Sequence, residues 1–242
     1  MPIACNHNQV FYSPLQRQRA RYIVTVSEYN GGVTHLTISE RDLRGYSLKT
    51  MKLILASASP RRAEILRNAG FTFDVFPADV DETILRDERA EDYVRRLAEE
   101  KARVATESLT AAVPAIVIGA DTTVVAGGQI VGKPTDKKDA RRMLRLLSGQ
   151  THEVLTGLSV TRSTDGRSAS HVETTRVSFA SLSESEIEDY LASGEPFDKA
   201  GAYGIQGIGG RYITRIEGCY FNVMGLPLSR LWSMLSDFGW RT

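Results

Sequence analysis

The chain has 242 residues, 42% of them hydrophobic and 24% charged, the composition of an ordinary globular protein with room for one domain or a small pair. A net charge of +1 excludes the broad basic field that nucleic acid polymers select, so any phosphate binding must be local. Two cysteines are too few for a disulfide framework, and no apolar run approaches the roughly 18 residues of a membrane span, so a cytoplasmic protein with no membrane partner is expected.

Residues 1–50 differ from the rest and read as an N-terminal extension, with 51–242 as the main domain. The extension holds a basic stretch, Arg17 to Arg21, and two alternating runs, Tyr22 to Val26 and Val33 to Ile38. These runs flank Asn30-Gly31-Gly32, which suits a small hairpin. A lone hairpin is marginal in water. The extension is therefore read as weakly ordered, or as sequence upstream of a true start at Met51, in preference to a regulatory or targeting arm.

Leu53-Ile54-Leu55 reads as a short buried strand. The small residues Ala56 to Ser59 follow, and then a helix start. Ser59 suits the N-cap and Pro60 the first helical position, with Gly70 as the stop. A strand, a small-residue loop and a helix N-terminus point backbone N–H groups and a positive dipole end at one spot. Arg61 and Arg62 add two guanidinium forks. The stretch reads as a phosphate cradle.

Beyond a short strand at Phe71 to Pro77 come the acidic residues Asp79, Asp81 and Glu82. A helix is expected over Glu91 to Glu107, from the spacing of Tyr93, Val94, Leu97 and Val104. On spacing alone, Lys101 lies on the apolar side of this helix as a solvated, snorkelling lysine. Ala115 to Gly119 reads as a second buried strand ending at Asp121. That is where open α/β sheets place ligands, and function is preferred to a turn-capping role because the cradle ends another strand.

Thr123 to Val131 reads as a hairpin turning on Gly127-Gly128. Gly127 to Lys133 fits the spacing of a phosphate-binding P-loop, but Pro134 stands where Ser or Thr must hold magnesium, and the first glycines belong to the hairpin. The P-loop is rejected, and Lys133 is left as a point charge at a strand end. A helix capped by Thr135 or Asp136, strands at His152 to Thr161 and His171 to Phe179, and a helix opened by the Ser183–Glu186 capping box complete the middle of the chain. The four histidines show no metal-ligand spacing.

Residues 196–210 contain five of the twenty glycines. Phe197, Ala200, Tyr203 and Ile205 make them too apolar for a solvated loop, so a packed wall is expected. A strand at Arg211 to Ile216 and a final helix docked by Leu231, Trp232 and Leu235 end the chain. Together, the cradle, the carboxylates and the lysines suit hydrolysis of a phosphoanhydride.

From Met51 onward the chain resembles the Maf family of nucleoside triphosphate pyrophosphatases. LILASASPRRAEILRNAG, the acidic turn ending Asp81-Glu82, RLAEEKA, IGADTTVV, GKP, LSGQTHEV, FDKAGAYGIQG and NVMGLPL carry the likeness, in order. The resemblance implies an α/β fold of the Maf/inosine triphosphatase-like kind: an elongated, twisted, mixed β-sheet flanked by helices, with two lobes around an active-site cleft. It implies a hydrolase that cleaves a nucleoside triphosphate between the α- and β-phosphates, with a divalent cation, Mg²⁺ or Mn²⁺, as cofactor and a homodimer as the assembly.

Residue by residue, it makes Asp121 the base for the attacking water. Ser59, Arg62, Lys101 and Lys133 become phosphate-binding, which reverses the bland reading of Lys101. Glu82 and Asp121 become the metal side. Arg61, Thr122 and Gln206 match the branch acting on dTTP and UTP. The alternatives are the same chemistry on 7-methyl-GTP or on modified pyrimidine triphosphates, or a nucleotide-binding septation regulator with little catalysis.

Overall fold

The computed structural model describes residues 21–27, 33–39, 51–109 and 114–240. Backbone contacts divide the chain into two compact units, Met1–Thr50 and Met51–Thr242. In the first, β1 (Arg21–Ser27) pairs antiparallel with β2 (Val33–Ser39), from Arg21↔Ser39 to Ser27↔Val33. The basic residues 17–20 and the expected turn at 30–32 lie outside the described residues.

The second unit is a seven-stranded mixed sheet with helices on both faces. Its strands are β3 (Lys52–Ala56), β4 (Asp74–Val75), β5 (Ala115–Ala126), β6 (Gln129–Val131), β7 (Thr151–Arg162), β8 (Ser168–Phe179) and β9 (Ile213–Glu217). The spatial order is β4-β3-β5-β7-β8-β9, with β6 on the far end of β5. Strands β4, β3 and β5 run parallel, and every other pairing is antiparallel. Three strands of 12 residues each give the sheet a length of about 40 Å.

The helices are α1 (Pro60–Asn68), α2 (Ala90–Ser108), α3 (Lys137–Leu147), α4 (Glu184–Ala192), α5 (Tyr220–Met224) and α6 (Leu228–Asp237). Local chemistry sets several of their ends. Pro60 occupies the first turn of α1, Asp136 accepts from Asp139 N at 2.7 Å to cap α3, and Ser183 and Glu186 close a full capping box on α4. Gly127 and Gly128 both adopt positive φ at the β5–β6 turn, as a two-residue hairpin asks. None of the described helices is long and apolar enough to cross a membrane.

One face of the sheet carries two separate cores. Ile116, Ile118, Ala120, Leu158 and Val160 pack against α1 and α6, whereas Val124, Ala126 and Val154 pack against α3, α4 and residues 200–212. Between these lobes, on the same alternation of β5 and β7, stand Thr122 and Thr156. Their hydroxyls lie 2.9 Å apart, and buried Asn222 of α5 extends this polar seam to Thr175.

On the other face, α2 lies directly on the sheet. A Cβ on Gly157 would stand 2.0 Å from the Val94 carbonyl oxygen, and one on Gly119 would stand 2.1 Å from that of Ala98. These two glycines let helix backbone touch strand backbone.

Several expectations change. Ala115 to Gly119 is the start of a longer strand. β7 pairs with β5 from Ile116↔Arg162 to Val125↔Glu153, so the backbone stays extended through Asp121. Asp121 is therefore mid-strand, level with the C-terminal end of β3 instead of its own. The strand expected at Phe71 to Pro77 shortens to Asp74–Val75. In α6, Leu231 and Leu235 dock as expected, but Trp232 is 44% exposed and meets Phe71 only edge-on. Residues 195–212 form three short 3₁₀ turns with Ala202, Tyr203 and Gly209 buried, so the wall is packed at Tyr203, but Phe197, expected within it, is 37% exposed.

Candidate active site

The edge of β5 opposite β7 is covered in two pieces. β3 pairs with residues 115–119 and β6 with 124–126, leaving 120–123 without a strand neighbour on that side. Groups on both faces of the sheet reach this notch. It opens into a cleft of about 710 Å³ lined by every site residue the sequence singled out: Ser59, Arg61, Arg62, Glu82, Lys101, Asp121, Thr122, Lys133 and Gln206.

On the α2 face, Lys101 Nζ donates to Asp121 Oδ1 at 2.7 Å and to Glu82 Oε1 at 2.6 Å. Close approach of α2 at Gly119 and Gly157 is what brings the lysine to the strand. The residues around Glu82 are tied to the same helix. Tyr93 Oη donates to the Glu82 carbonyl at 3.0 Å, and Arg96 Nη2 donates to the Thr83 carbonyl at 3.1 Å and to Glu88 Oε2 at 2.9 Å.

On the opposite face, Arg62 donates from Nε to the Gly225 carbonyl at 2.8 Å, from Nη1 to Ser57 Oγ at 2.9 Å and from Nη2 to Thr122 Oγ1 at 3.0 Å. All three acceptors are neutral. Among the described residues no carboxylate is bonded to Arg62, a buried cation aimed by dipoles, and such a site favours an incoming anion. Thr122 thus uses its hydroxyl to hold Arg62. Ser59 sits at the N-cap of α1 without making a side-chain cap bond, so its hydroxyl is left for the cleft, while its N–H donates to Ser57 Oγ at 3.2 Å. Lys133 and Gln206 are exposed on the rim.

The electrostatics separate the two carboxyls that share Lys101. Burial pushes the Asp121 carboxyl up, against the lowering charges of Lys101 and Arg62. Burial also raises Glu82, but the Lys101 hydrogen bond and the charges of Lys101, Lys133 and Arg62 outweigh it and bring that group below the usual range. Pairs of titratable groups driven apart in this way are common where acid–base chemistry is done. The Tyr93 phenol is pushed up to about 12 by burial and by the Asp121 and Glu82 charges, so it stays a donor.

Sequence reading missed Tyr93, the Gly225 carbonyl and Thr156, because their contributions come through contacts between separate elements, and it placed Ser57 in the cradle loop without its bond to Arg62, five residues on. Among the described residues, no group of three or more His, Cys, Asp or Glu side chains is placed to hold a metal by itself.

A family model described as Maf-like protein matches residues 52–238. The chain belongs to the Maf-like family. Among curated relatives in this family, a dTTP/UTP pyrophosphatase of Vibrio cholerae is 52% identical over 187 residues, covering 77% of this chain and 98% of the relative. The dTTP/UTP pyrophosphatase of Koribacter versatilis is 51% identical over 192 residues, covering 78% and 95%. That of Hahella chejuensis is 50% identical over 188 residues, covering 78% and 92%. A solved structure of the Staphylococcus aureus Ham1 protein aligns over 77% of this chain and 98% of that one, at 14% identity and a TM-score of 0.41.

Proposed function

We propose that this member of the family hydrolyses dTTP and UTP to the nucleoside monophosphate and pyrophosphate. The observation that carries the reading is the meeting, at one strand-edge notch, of a buried carboxylate tied to a lysine and a buried arginine with no carboxylate bonded to it. The names of relatives about half identical in sequence supply the substrate.

In this reading the triphosphate lies over the cradle, with Ser59, Arg62, Lys101 and Lys133 on its oxygens. Asp121, its carboxyl raised by burial, takes the proton from water as the water oxygen bonds to the α-phosphorus. The bridging P–O bond breaks, and pyrophosphate leaves with charge spread toward the arginine and lysines. Thr122 serves by fixing Arg62, while Arg61 and Gln206 face the nucleoside.

Glu82 and Asp121 fit a divalent cation, Mg²⁺ or Mn²⁺, because both carboxylates already converge on the single cationic Nζ of Lys101. Two protein carboxylates with the rest left to phosphate and water is the habit of Mg²⁺. When bound, the ion would neutralise phosphate charge. The reading extends to a cytoplasmic enzyme acting on free nucleotides, supported by the absence of a broad basic field at a net charge of +1.

The test is a rate panel across dTTP, UTP, CTP and 7-methyl-GTP with magnesium or manganese. Turnover is expected to be fastest on dTTP and UTP. Turnover confined to 7-methyl-GTP, or tight dTTP binding with no hydrolysis, overturns the proposal.

A further inference from the structure

From the cradle to the glycine-rich wall runs a row of three charged side chains to which neither the family resemblance nor the chemistry above gives a joint role. Arg61 Nη1 meets Asp198 Oδ2 at 3.0 Å, and Lys199 Nζ meets Asp198 Oδ1 at 2.5 Å. Lys199 is fixed from behind by donating to the Glu195 carbonyl at 2.7 Å. All three line the cleft. Arg61 comes from the first turn of α1, and Asp198 lies 137 residues later on the glycine-rich wall.

Their exposures differ in a telling way. The Asp198 side chain is 65% exposed, against 30% for Arg61 and 15% for Lys199. The carboxylate stands in the opening between two more enclosed cations. With the carboxylate this open to solvent its pairing is screened, so a ligand can exchange into it at little cost.

We propose that Asp198, flanked by Arg61 and Lys199, reads the edge of the pyrimidine ring and separates uracil and thymine from cytosine. The inference rests on the dTTP/UTP reading above and deepens it. Uracil and thymine present acceptor, donor, acceptor along O4, N3–H and O2. The row presents donor, acceptor, donor: two cations that can only donate around a carboxylate that can only accept. Cytosine places an amino donor at position 4 and a bare lone pair at N3. It would set its amino group against a cation and its N3 lone pair against the carboxylate. Mismatch of that kind rejects a ligand more strongly than a missing contact does. The ribose and the 5-methyl group are not part of this edge, so one row serves both UTP and dTTP.

The test is kcat/KM for UTP and for CTP, measured on the full chain and on Asp198→Asn. The amide can turn a donor toward N3 of cytosine, so the UTP-to-CTP ratio should fall about tenfold or more, with the KM for UTP rising. A ratio within about twofold of the parent value overturns the inference. That holds whether both rates fall together, as for a structural tie between the cleft walls, or rise together, as for release of a restrained Arg61. Because the ratio is internal to one preparation, partial misfolding cannot imitate the effect. A parent protein inactive on both UTP and dTTP overturns the underlying activity and this inference with it, whereas an active parent with an unmoved ratio overturns this inference alone.

Discussion

The two sides of the cleft hold their charges in different ways. Around Asp121, the side chains of Arg62, Lys101 and Asp121 are all buried, and each is fixed by at least two hydrogen bonds or ion pairs, or in the case of Asp121 by a lysine that is itself doubly held. Around Asp198, the carboxylate is open to solvent between two half-buried cations, and Gln206 on the same wall is exposed. A buried charge must be pre-aimed, because the protein has already removed the water that would otherwise solvate it. An exposed one can be exchanged for a ligand group. The contrast suits the proposed division, with chemistry on the buried side and choice of base on the open side.

The hardest blow to the buried side is Asp121→Asn. It removes the proposed base while keeping the side-chain shape, and kcat should fall roughly 10³-fold, within the range for losing a general base. Pyrophosphate release measures it, and a loss of only a few-fold would place the base elsewhere.

Gly157→Ala strikes the same side through packing. The added Cβ points at helix backbone, so α2 must lift and carry Lys101 away from Asp121. A loss of about 3 kcal/mol in a denaturant titration is expected, with activity falling alongside. An unchanged midpoint would mean the helix yields freely.

His152 tests the second lobe. Burial draws its pKa from 6.5 to about 4, and its buried Nδ1 has no partner among the described residues. The folded form holds this ring neutral, so the unfolded chain binds the extra proton between these values. Stability should therefore be intact above pH 6.5 and decline as pH falls toward 4, by up to about 3 kcal/mol. Melts across that range should show a smaller decline in His152→Gln. Equal slopes would contradict the assignment.

The mildest change is Gln206→Ala on the open side. It should alter selectivity among nucleotides severalfold while leaving stability within about 0.5 kcal/mol. A global loss of rate with selectivity unmoved would transfer Gln206 to the chemistry.

Much of this arrangement was legible in the sequence because it is local. The strand-loop-helix at Leu53 to Gly70, the Ser183–Glu186 capping box and the Gly127-Gly128 hairpin each carry their geometry within a few residues. What stayed hidden depends on neighbours far along the chain. The polar Asp121-Thr122 reads as the end of a strand, and only pairing with β7 keeps it extended. Gly119 and Gly157 look like ordinary strand glycines until α2 is laid on them. Lys101 looks solvated by helical spacing, since its partners lie 19 and 20 residues away on other elements. Asp198 sits in a segment whose apolar residues argued for a wall. Its charge was the one signal of a recognition role, and it gained meaning only beside Arg61.

The central claim is that this notch cleaves the α–β anhydride of a pyrimidine triphosphate. Separation of the products after incubation with dTTP and magnesium tests it most directly. The account predicts dTMP and pyrophosphate in equal amounts. Formation of dTDP and inorganic phosphate, or recovery of unchanged dTTP, would contradict it.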